Sequence, residues 1–403
     1  MEEVEIPSYF LCPISLQIMS DPVTLPTGIT YHRDSIERWL FSQGKNRTCP
    51  VTKQPIPTSD FCTPNHTLRR LIQAWCVTHA DSGVQRIPTP RAPVDRAHIA
   101  KLLQEAKQSA ANHLTFFHKI REIVSGGEAN RLCVEASEAV DFLASVVEDY
   151  GETSACDEAL AVLHSLKISE ERLRSLVASR AGLLDHLFAI LRISSSKSRI
   201  HAAVLLNSII TLVSPIYLTN IREERLHEVV NFMRDRLSNQ ATKAALQVLI
   251  ELTSWGRNRV KAVSAGAVYV LVDLLLEDSD KRVCEMALVA LDKLCECADG
   301  RAELICHAAG VAVVSKKILR VSVAASERAV RIIEKLSKLS ATPALLQEMI
   351  QVGVVSKLCL LLQVEYCGAR EKERAREILS LHARIWKKSP CLPYQFLFAY
   401  PSS

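Results

Sequence analysis

The sequence has few aromatic residues and few glycines for its length. Aromatic side chains make up 5% of its 403 residues, and there are 13 glycines. Leu, Val, Ala and Ile must therefore fill the core, which favours helices over β-sandwiches. Because 48% of the residues are apolar and 23% are charged, the composition excludes a largely disordered chain. The length is too great for one compact core and predicts two or three domains.

The chain also has little excess of either charge and no paired cysteine motif. The formal net charge is +5, from 49 basic and 44 acidic residues, which argues against a nucleic-acid partner. The 13 cysteines are odd in number and show no C-x-x-C spacing, a pattern typical of reduced thiols in the cytosol or nucleus. The acidic start, Met-Glu-Glu-Val-Glu, does not fit a signal or transit peptide. We therefore expect a cytoplasmic location, with the nucleus as a second one.

One uncharged stretch is long enough to imitate a membrane span. Residues 200–221 contain no Asp, Glu, Lys or Arg, which meets the length criterion for a transmembrane helix. However, Asn207, Ser208 and Ser214 interrupt the stretch, and Pro215 stops a helix within it. We therefore predict a buried helix of a soluble protein followed by a turn, and no membrane span.

Prolines mark a division of the chain into two parts. Pro88, Pro90 and Pro93 remove backbone donors and favour extended conformations in the residues before them. This composition predicts a linker over residues 80–97. A small turn-rich domain over residues 6–79 precedes it, and almost everything after it is compatible with helix.

The long segment repeats with a period of 42 to 44 residues. An Ala/Val-Gly phrase followed by apolar residues recurs at Gly182, Gly266, Gly310 and Gly353, and between the first two an apolar helix without its glycine is expected near residue 224. Two helical phrases in each unit of this length are typical of armadillo and HEAT repeats. We therefore predict an armadillo-like array of about six units over residues 98–388. A second series, of small residues that let helices approach, contains Ala159, Ala202, Ala244, Ala287, Ala329 and Ala375.

Residues 6–79 carry short Cys-Pro, Thr-Gly and His segments with the spacing of the RING frame, which holds two structural zinc ions. The eight ligand places hold Cys12, Ser15, Thr27, Ile29, His32, Ser35, Cys49 and Thr52. A structural zinc ion requires four Cys or His ligands, and neither set of four places can supply them. We therefore predict no metal and no cofactor.

A RING frame without metal ligands resembles the U-box, and the likeness covers residues 6–79. With the array behind it, the whole chain resembles the plant U-box/armadillo-repeat ubiquitin-protein ligases. The Ile-Pro-Thr-Pro linker and the Pro-rich carboxyl end resemble the subgroup linked to defence and stress signalling. The predicted fold is mostly α, an α-α superhelix (armadillo solenoid) preceded by a small α+β U-box. The motifs that carry the likeness are Leu11-Cys12-Pro13-Ile14-Ser15, Asp21-Pro22-Val23, Thr27-Gly28-Ile29-Thr30-Tyr31, Cys49-Pro50-Val51-Thr52 and Pro64-Asn65-His66-Thr67-Leu68.

The resemblance implies an enzyme without a covalent intermediate of its own. A U-box binds a ubiquitin-conjugating enzyme that carries ubiquitin, and a substrate lysine attacks the thioester directly, so catalysis rests on proximity and preorganisation. The repeats would recruit protein substrates, and several U-boxes form homodimers. The alternative is an armadillo scaffold or adaptor whose U-box is inactive.

By motif position, the resemblance places the contacts with the conjugating enzyme at Ile14, Leu16, Trp39 and Pro50. Such anchors are small apolar sites made of aliphatic, aromatic and proline side chains. A plainer role stays open for each of them. Ile14 and Leu16 would also serve as ordinary core residues, Trp39 as core packing, and Pro50 as the residue that shapes the turn after Cys49.

The resemblance also assigns roles to four other U-box residues. Lys53 stands where related proteins carry a cation that clamps ubiquitin, and an ordinary solvated lysine is the alternative. Lysine keeps the charge but lacks the bidentate fork of arginine, so such a clamp would be weaker. Cys12 and Cys49 are expected to be buried structural thiols rather than nucleophiles, and Val23 is expected to support the core beneath the site.

The array is predicted to be the binding platform, because an armadillo stack offers a long concave surface. Asn207 is a candidate for a substrate groove, since armadillo grooves often hold an extended peptide with Asn. Glu251, Lys293 and Lys335 occupy comparable places in other units, so no uniform ladder of Asn is expected. The aromatic and Pro-rich residues 389–403 are expected to fold back and cap the last repeat, with a docking segment as the alternative.

Overall fold

The computed structural model describes most of the chain. The predicted tail of residues 389–403 and most of the predicted linker lie outside the described residues, so the roles assigned to both stay predictions. The described residues are 6–42, 47–56, 62–79, 94–149, 153–180, 182–193, 195–219, 221–277, 280–365 and 367–387.

Within the described residues, helices dominate and the only sheet is small. The 3-10 helices are Ser8–Phe10 and Ala110–Asn112, and the strands are β1 (Pro22–Thr24), β2 (Thr30–His32) and β3 (Thr63–Pro64). The α-helices are α1 (Arg33–Ser42), α2 (His66–Thr78), α3 (Arg96–Gln108), α4 (His113–Ser125), α5 (Glu128–Glu135), α6 (Ala139–Asp149), α7 (Ser154–Leu166), α8 (Glu170–Ser179), α9 (Leu183–Ile193), α10 (Ser196–Ile210), α11 (Pro215–Thr219), α12 (Glu223–Asp235), α13 (Asn239–Leu252), α14 (Gly256–Ser264), α15 (Ala267–Leu276), α16 (Lys281–Leu294), α17 (Ala298–Cys306), α18 (Gly310–Lys317), α19 (Val323–Leu339), α20 (Pro343–Gln351), α21 (Val354–Gln363), α22 (Ala369–Leu381) and α23 (Ala383–Trp386).

The amino-terminal part is a small α+β domain built on a three-stranded antiparallel sheet. The strand order is β2-β1-β3, and Val23 on the central strand is paired with Tyr31 on β2. Both side chains are fully buried. Helix α2 begins where the Asn65 side chain accepts a hydrogen bond from the Leu68 amide at 3.0 Å, which satisfies one of the free amides of its first turn. The apolar faces of α1 and α2 pack against the same core as the sheet.

The later part of the chain is a ladder of helices. Helices α7, α10, α13, α16, α19 and α22 each pack against the next member of the series. The six alanines of the predicted series lie on these helices in order, and none is more than 5% exposed. Small side chains let neighbouring helices approach closely, so the sequence period and the packing agree. The ladder confirms the prediction of stacked helical repeats.

The repeat unit that lacks its glycine is also present. Helix α12 covers the expected position near residue 224. The apolar residues of this helix face inward, which confirms the prediction. The buried set is Leu226, Val229, Val230, Phe232 and Met233.

In the described part of the uncharged stretch 200–221, a helix ends in a turn, as predicted, and a short second helix follows the turn. Helix α10 ends at Ile210, and Pro215 begins the short helix α11. In the described part of the chain, no single helix combines the length and apolar character needed to cross a membrane. One bent pair, Pro343–Gln351 with Val354–Gln363, meets the two criteria only when its helices are taken together.

The chain forms two compact units, residues 1–142 and 143–403. The first unit contains the sheet domain and the helices from α3 to α5, and within it α1 packs against α5. Glu37 on α1 is 5% exposed and accepts a hydrogen bond from the backbone amide of Ala129. Burial raises the pKa of Glu37, although Arg33 and the Ala129 amide oppose this effect. The sheet domain therefore packs against α5 through α1.

Candidate functional site

Two loops of the amino-terminal domain have the same structure. Loop 1 (residues 11–18) and loop 2 (residues 48–55) contain the matching hexapeptides Cys-Pro-Ile-Ser-Leu-Gln and Cys-Pro-Val-Thr-Lys-Gln. In loop 1 the Cys12 amide donates to the Gln17 carbonyl at 2.9 Å, and in loop 2 the Cys49 amide donates to the Gln54 carbonyl at 2.9 Å. Each loop is thus a closed turn that repeats the other in sequence and in hydrogen bonding.

Each loop turns through one residue in the left-handed conformation. Leu16 has φ of 55° and Lys53 has φ of 60°, and the amide of each donates to the carbonyl of the cysteine four residues earlier. A side chain in this conformation costs about 1–2 kcal/mol, and here the turn hydrogen bonds oppose that cost. The turn directs Leu16 into solvent, where 74% of the residue is exposed. Leu16 is therefore not a core residue.

The cysteine sulfurs attach both loops to strand β2. The His32 amide donates to Cys12 Sγ at 3.3 Å, and the Tyr31 hydroxyl lies 3.1 Å from Cys49 Sγ. Because Tyr31 and His32 are consecutive residues, β2 holds the two loops side by side. Cys12, Cys49 and Val23 are all fully buried, as their predicted structural roles require.

Hydrogen bonds connect residues at the places where a RING domain would carry its metal ligands, and one ion pair lies beside them, at the residue after His32. The hydroxyl of Thr27 and the amide of Thr52 both donate to Cys49 Sγ, at 3.5 Å each. Burial opposes ionisation of this thiol, but the hydrogen bonds from Thr27, Thr52 and Tyr31 outweigh it and lower the pKa of Cys49 to about 6. Arg33 Nε lies 2.6 Å from Asp21 Oδ2 at the end of β2. Among the described residues, no group of three or more His, Cys, Asp and Glu side chains is arranged to hold a metal ion.

A zinc chelator is expected to leave this domain folded. Structural zinc sites supply folding energy directly, so their removal unfolds the domain that depends on them. We expect an unchanged thermal unfolding midpoint in 1,10-phenanthroline. A zinc-dependent RING domain in parallel should unfold at a lower temperature. A drop in the midpoint for this chain would show that a metal supports the fold.

Trp39 braces loop 2 from helix α1. Its indole Nε1 donates to the Thr48 carbonyl at 3.0 Å, and the ammonium of Lys53 lies 5.7 Å from the ring centroid. Trp39 and Ile14 are both half-buried and pack against the same apolar core, while Pro50 is half-buried in the turn after Cys49. Ile14 and Trp39 therefore pack against the core, and each still exposes part of its surface to solvent.

Sequence reasoning missed one residue of this surface. Val51 takes the place in loop 2 that Ile14 takes in loop 1, and it is 54% exposed. The matching hexapeptides carried the signal, because they make the two loops equivalent position by position. The surface formed by Ile14, Leu16, Trp39, Pro50 and Val51 is called the loop surface below.

The array residues named from the sequence lie in the second compact unit. Asn207 on α10 is half-buried, and its buried Oδ1 has no hydrogen-bond partner among the described atoms. Lys293 donates to the Ile250 carbonyl at 2.9 Å, and Lys335 donates to the Asp292 carbonyl at 2.6 Å. Both lysines therefore tie one ladder helix to the previous one. The ladder positions differ in chemistry from unit to unit, as the sequence indicated.

The chain matches two family models that together cover most of its length. The U-box domain matches residues 6–81, and the plant U-box protein ARM repeat region matches residues 97–402. Among solved structures, a computationally designed armadillo repeat protein aligns with a TM-score of 0.50 and 19% identity over 60% of this chain and 99% of its own. A chain from a study of cadherin and beta-catenin aligns with a TM-score of 0.61 and 14% identity, over 79% of this chain and 58% of its own. The likeness to the designed protein confirms the armadillo fold.

Two relatives from Arabidopsis thaliana are similar over the whole chain. E3 ubiquitin-protein ligase PUB23 is 50% identical over 99% of this chain and 98% of its own length. E3 ubiquitin-protein ligase PUB22 is 46% identical, with complete coverage of both chains. These likenesses confirm the resemblance seen in the motifs. The chain therefore belongs to the plant U-box/armadillo-repeat ubiquitin-protein ligases.

Proposed function

We propose that the loop surface binds a ubiquitin-conjugating enzyme that carries ubiquitin. The observation that carries the proposal is the exposure of Leu16 and Val51, at 74% and 54%, on two loops that hydrogen bonds hold rigid. A rigid apolar patch loses little conformational entropy on binding, so it favours association more than a mobile one. Trp39 and Ile14 extend the patch down to the core, which gives it the character of an interface anchor.

Transfer of ubiquitin is direct in this proposal. Cys12 and Cys49 are fully buried and fill hydrogen-bonded structural positions, so neither is placed to accept ubiquitin. The U-box instead holds the charged conjugating enzyme while a substrate lysine attacks the thioester. The contribution to rate is proximity and orientation of the two reactants.

Lys53 is proposed to contact ubiquitin as a cationic clamp. It is exposed beside the loop surface, and the left-handed backbone and the Trp39 ring hold its position. A cation over an indole ring contributes about 0.5–1 kcal/mol at an exposed site, so the side chain is partly preorganised. Lysine offers a point charge without the fork of arginine, which suits a modest clamp.

The array is proposed to recruit the protein substrate, and Asn207 is proposed to contact it in the groove. The support for this role is that Asn207 is only half-buried on ladder helix α10, so part of the residue is open to a bound peptide. A role in defence or stress signalling, a cytoplasmic and nuclear location, and a homodimer formed through the U-box belong to the same proposal. The signalling role is supported by the similarity of the linker and carboxyl end to the subgroup linked to defence and stress signalling. The homodimer is supported by the fact that several U-boxes dimerise.

Replacement of Leu16 by asparagine tests the loop surface without disturbing the core. Asparagine tolerates the left-handed conformation, so the turn is expected to remain while the apolar contact is lost. We expect at least about tenfold weaker binding of the conjugating enzyme and a matching loss of chain formation, the effect of removing one interface anchor. Isothermal calorimetry with the full chain and a chain-formation assay measure the two effects.

The matched control is Leu360→Asn, at an exposed leucine on α21 in the array. This variant should bind the conjugating enzyme as wild type does. Equal activity of Leu16→Asn and wild type would remove the loop surface from the mechanism. Absence of any binding by wild type would instead favour the scaffold with an inactive U-box.

A further inference from the structure

Two arginines on ladder helix α19 converge on one buried carboxylate. Arg328 Nη1 and Arg331 Nε lie 3.2 Å and 3.1 Å from Oδ2 of Asp292 on the neighbouring helix α16. The side chain of Asp292 is only 2% exposed, whereas those of Arg328 and Arg331 are 32% and 30% exposed. The carboxylate thus lies beneath the pair, and the guanidinium groups remain open to solvent.

The pair carries more positive charge than its partner neutralises. Lys335 also contacts Asp292, at 2.7 Å, so three cations share this single carboxylate. Lys335 has a second acid, Glu296, at 2.8 Å, which leaves the two arginines with Asp292 alone among the ion pairs of the described residues. The excess of positive charge therefore sits on Arg328 and Arg331.

Glu327, on α19 itself, makes no ion pair with Arg328 or Arg331 among the described residues. Two further acids near α19 are bound to other cations. Glu334 lies 2.8 Å from Lys338 Nζ and 3.3 Å from Arg374 Nε. Glu285 on α16 accepts a hydrogen bond from the Ser322 hydroxyl at 2.7 Å and faces Arg282 at 3.4 Å. These carboxylates are engaged on either side of the pair, so they do not compensate it.

The geometry favours recognition of an anion. Arg328 and Arg331 are three residues apart, so they lie on the same face of α19. Each guanidinium carries five N–H donors in a planar fork that matches carboxylate and phosphate oxygens. The buried Asp292 restrains both side chains, which lowers the entropy lost when a ligand binds.

We propose that Arg328 and Arg331 form an anion subsite that takes an acidic segment of a protein partner. The shared chemistry is a carboxylate or phosphate group on an extended peptide. The proposal rests on the proposed function of the array as the substrate platform, and it names the class of segment that the platform selects. A purely structural ion-pair network is the alternative that the experiment must separate from it.

The test measures peptide binding by the full chain with fluorescence anisotropy. The probes are a labelled octapeptide of alternating Glu and Ser, the same length of peptide with phosphoserine in alternate positions, and an oligolysine of equal length. We expect the wild type to bind at least one acidic probe and not oligolysine, with affinity that falls as salt rises. We expect the double variant R328Q/R331Q to bind at least about tenfold more weakly, since it removes the charged hydrogen bonds that both guanidinium groups would make to the ligand.

The variants are chosen so that folding does not decide the result. Glutamine keeps good helix propensity, and Lys335 remains as the partner of Asp292, so the array is expected to stay folded. The matched control is R282Q, at an arginine on α16 whose side chain is 65% exposed. It should bind the acidic probe as wild type does.

Two results would overturn the proposal. One is the absence of binding by wild type to both acidic probes at low salt. The other is equal affinity of wild type, R328Q/R331Q and R282Q. Peptide binding needs no conjugating enzyme, so this result is separate from the ubiquitin assay, whose failure would overturn only the proposed transfer function.

Discussion

Replacing Trp39 by alanine is expected to abolish ubiquitin chain formation. Trp39 makes three contacts. Its indole Nε1 donates a hydrogen bond to the Thr48 carbonyl, the ammonium of Lys53 lies over its ring, and its buried part packs against the core. Truncation of such an interface residue costs about 2–4 kcal/mol of binding, and 2 kcal/mol already weakens an interaction about 30-fold. Chain formation with activating enzyme, conjugating enzyme and ubiquitin measures the loss.

The Trp39 variant also weakens the domain, so a second variant separates the two effects. Trp39→Phe keeps a ring at the core and removes the hydrogen bond to Thr48, whose net contribution is about 0.5–1.5 kcal/mol. We expect partial activity for Trp39→Phe and none for Trp39→Ala, with both still folded by circular dichroism at the assay temperature. A folded Trp39→Ala that builds chains at the wild-type rate would contradict the proposed interface.

Replacing Gly310 by alanine is expected to destabilise the array more than any other change at a repeat glycine. A Cβ at this position would lie 2.0 Å from the Leu304 carbonyl oxygen and 3.0 Å from Leu304 Cδ1. Backbone cannot yield as a flexible side chain does, so the joint between α17 and α18 must open to admit the methyl group. Overpacking of this kind costs about 3 kcal/mol, and urea unfolding of the full chain measures it.

Alanine substitutions at Gly353 and Gly256 serve as comparisons for Gly310→Ala. Gly353 has φ of 76° and open space around its Cβ position, so alanine there carries only backbone strain, about 1 kcal/mol. Gly256 has neither restriction, and alanine there should leave stability unchanged or raise it by less than about 1 kcal/mol. The expected order of destabilisation is Gly310, Gly353, Gly256. Equal unfolding midpoints for all three would mean that the joint is not closely packed.

The repeat glycines show how far sequence reasoning reaches. Their spacing identified the period, yet it treated them as one class of residue. In the structure Gly266 and Gly353 have positive φ, whereas Gly310 is required because a backbone carbonyl lies against it. The first requirement is local and the second depends on the packing of one helix on the next. Sequence alone could therefore place the glycines without distinguishing their physical roles.

The residues of the loop surface show the same difference between what the sequence indicates and what the structure decides. The family resemblance named Ile14, Leu16, Trp39 and Pro50 as expected contacts, by their positions in the motif. It left open whether Leu16 was core or surface, and the left-handed turn decided that question. Val51 was missed although the matching hexapeptides carried the signal, because its exposure is a property of the folded loop.

By itself, the sequence determined the helical ladder, the period of its units, the loss of both zinc ligand sets and the family. These depend on local patterns, namely apolar spacing and the identity of residues at fixed offsets. Only the tertiary structure decided which charges meet. Asp292 pairs with Arg328 and Arg331 on the next ladder helix. Arg33, directly after β2, pairs with Asp21, directly before β1. Such pairings depend on which helix faces and strand ends pack together, and no spacing along the chain specifies that.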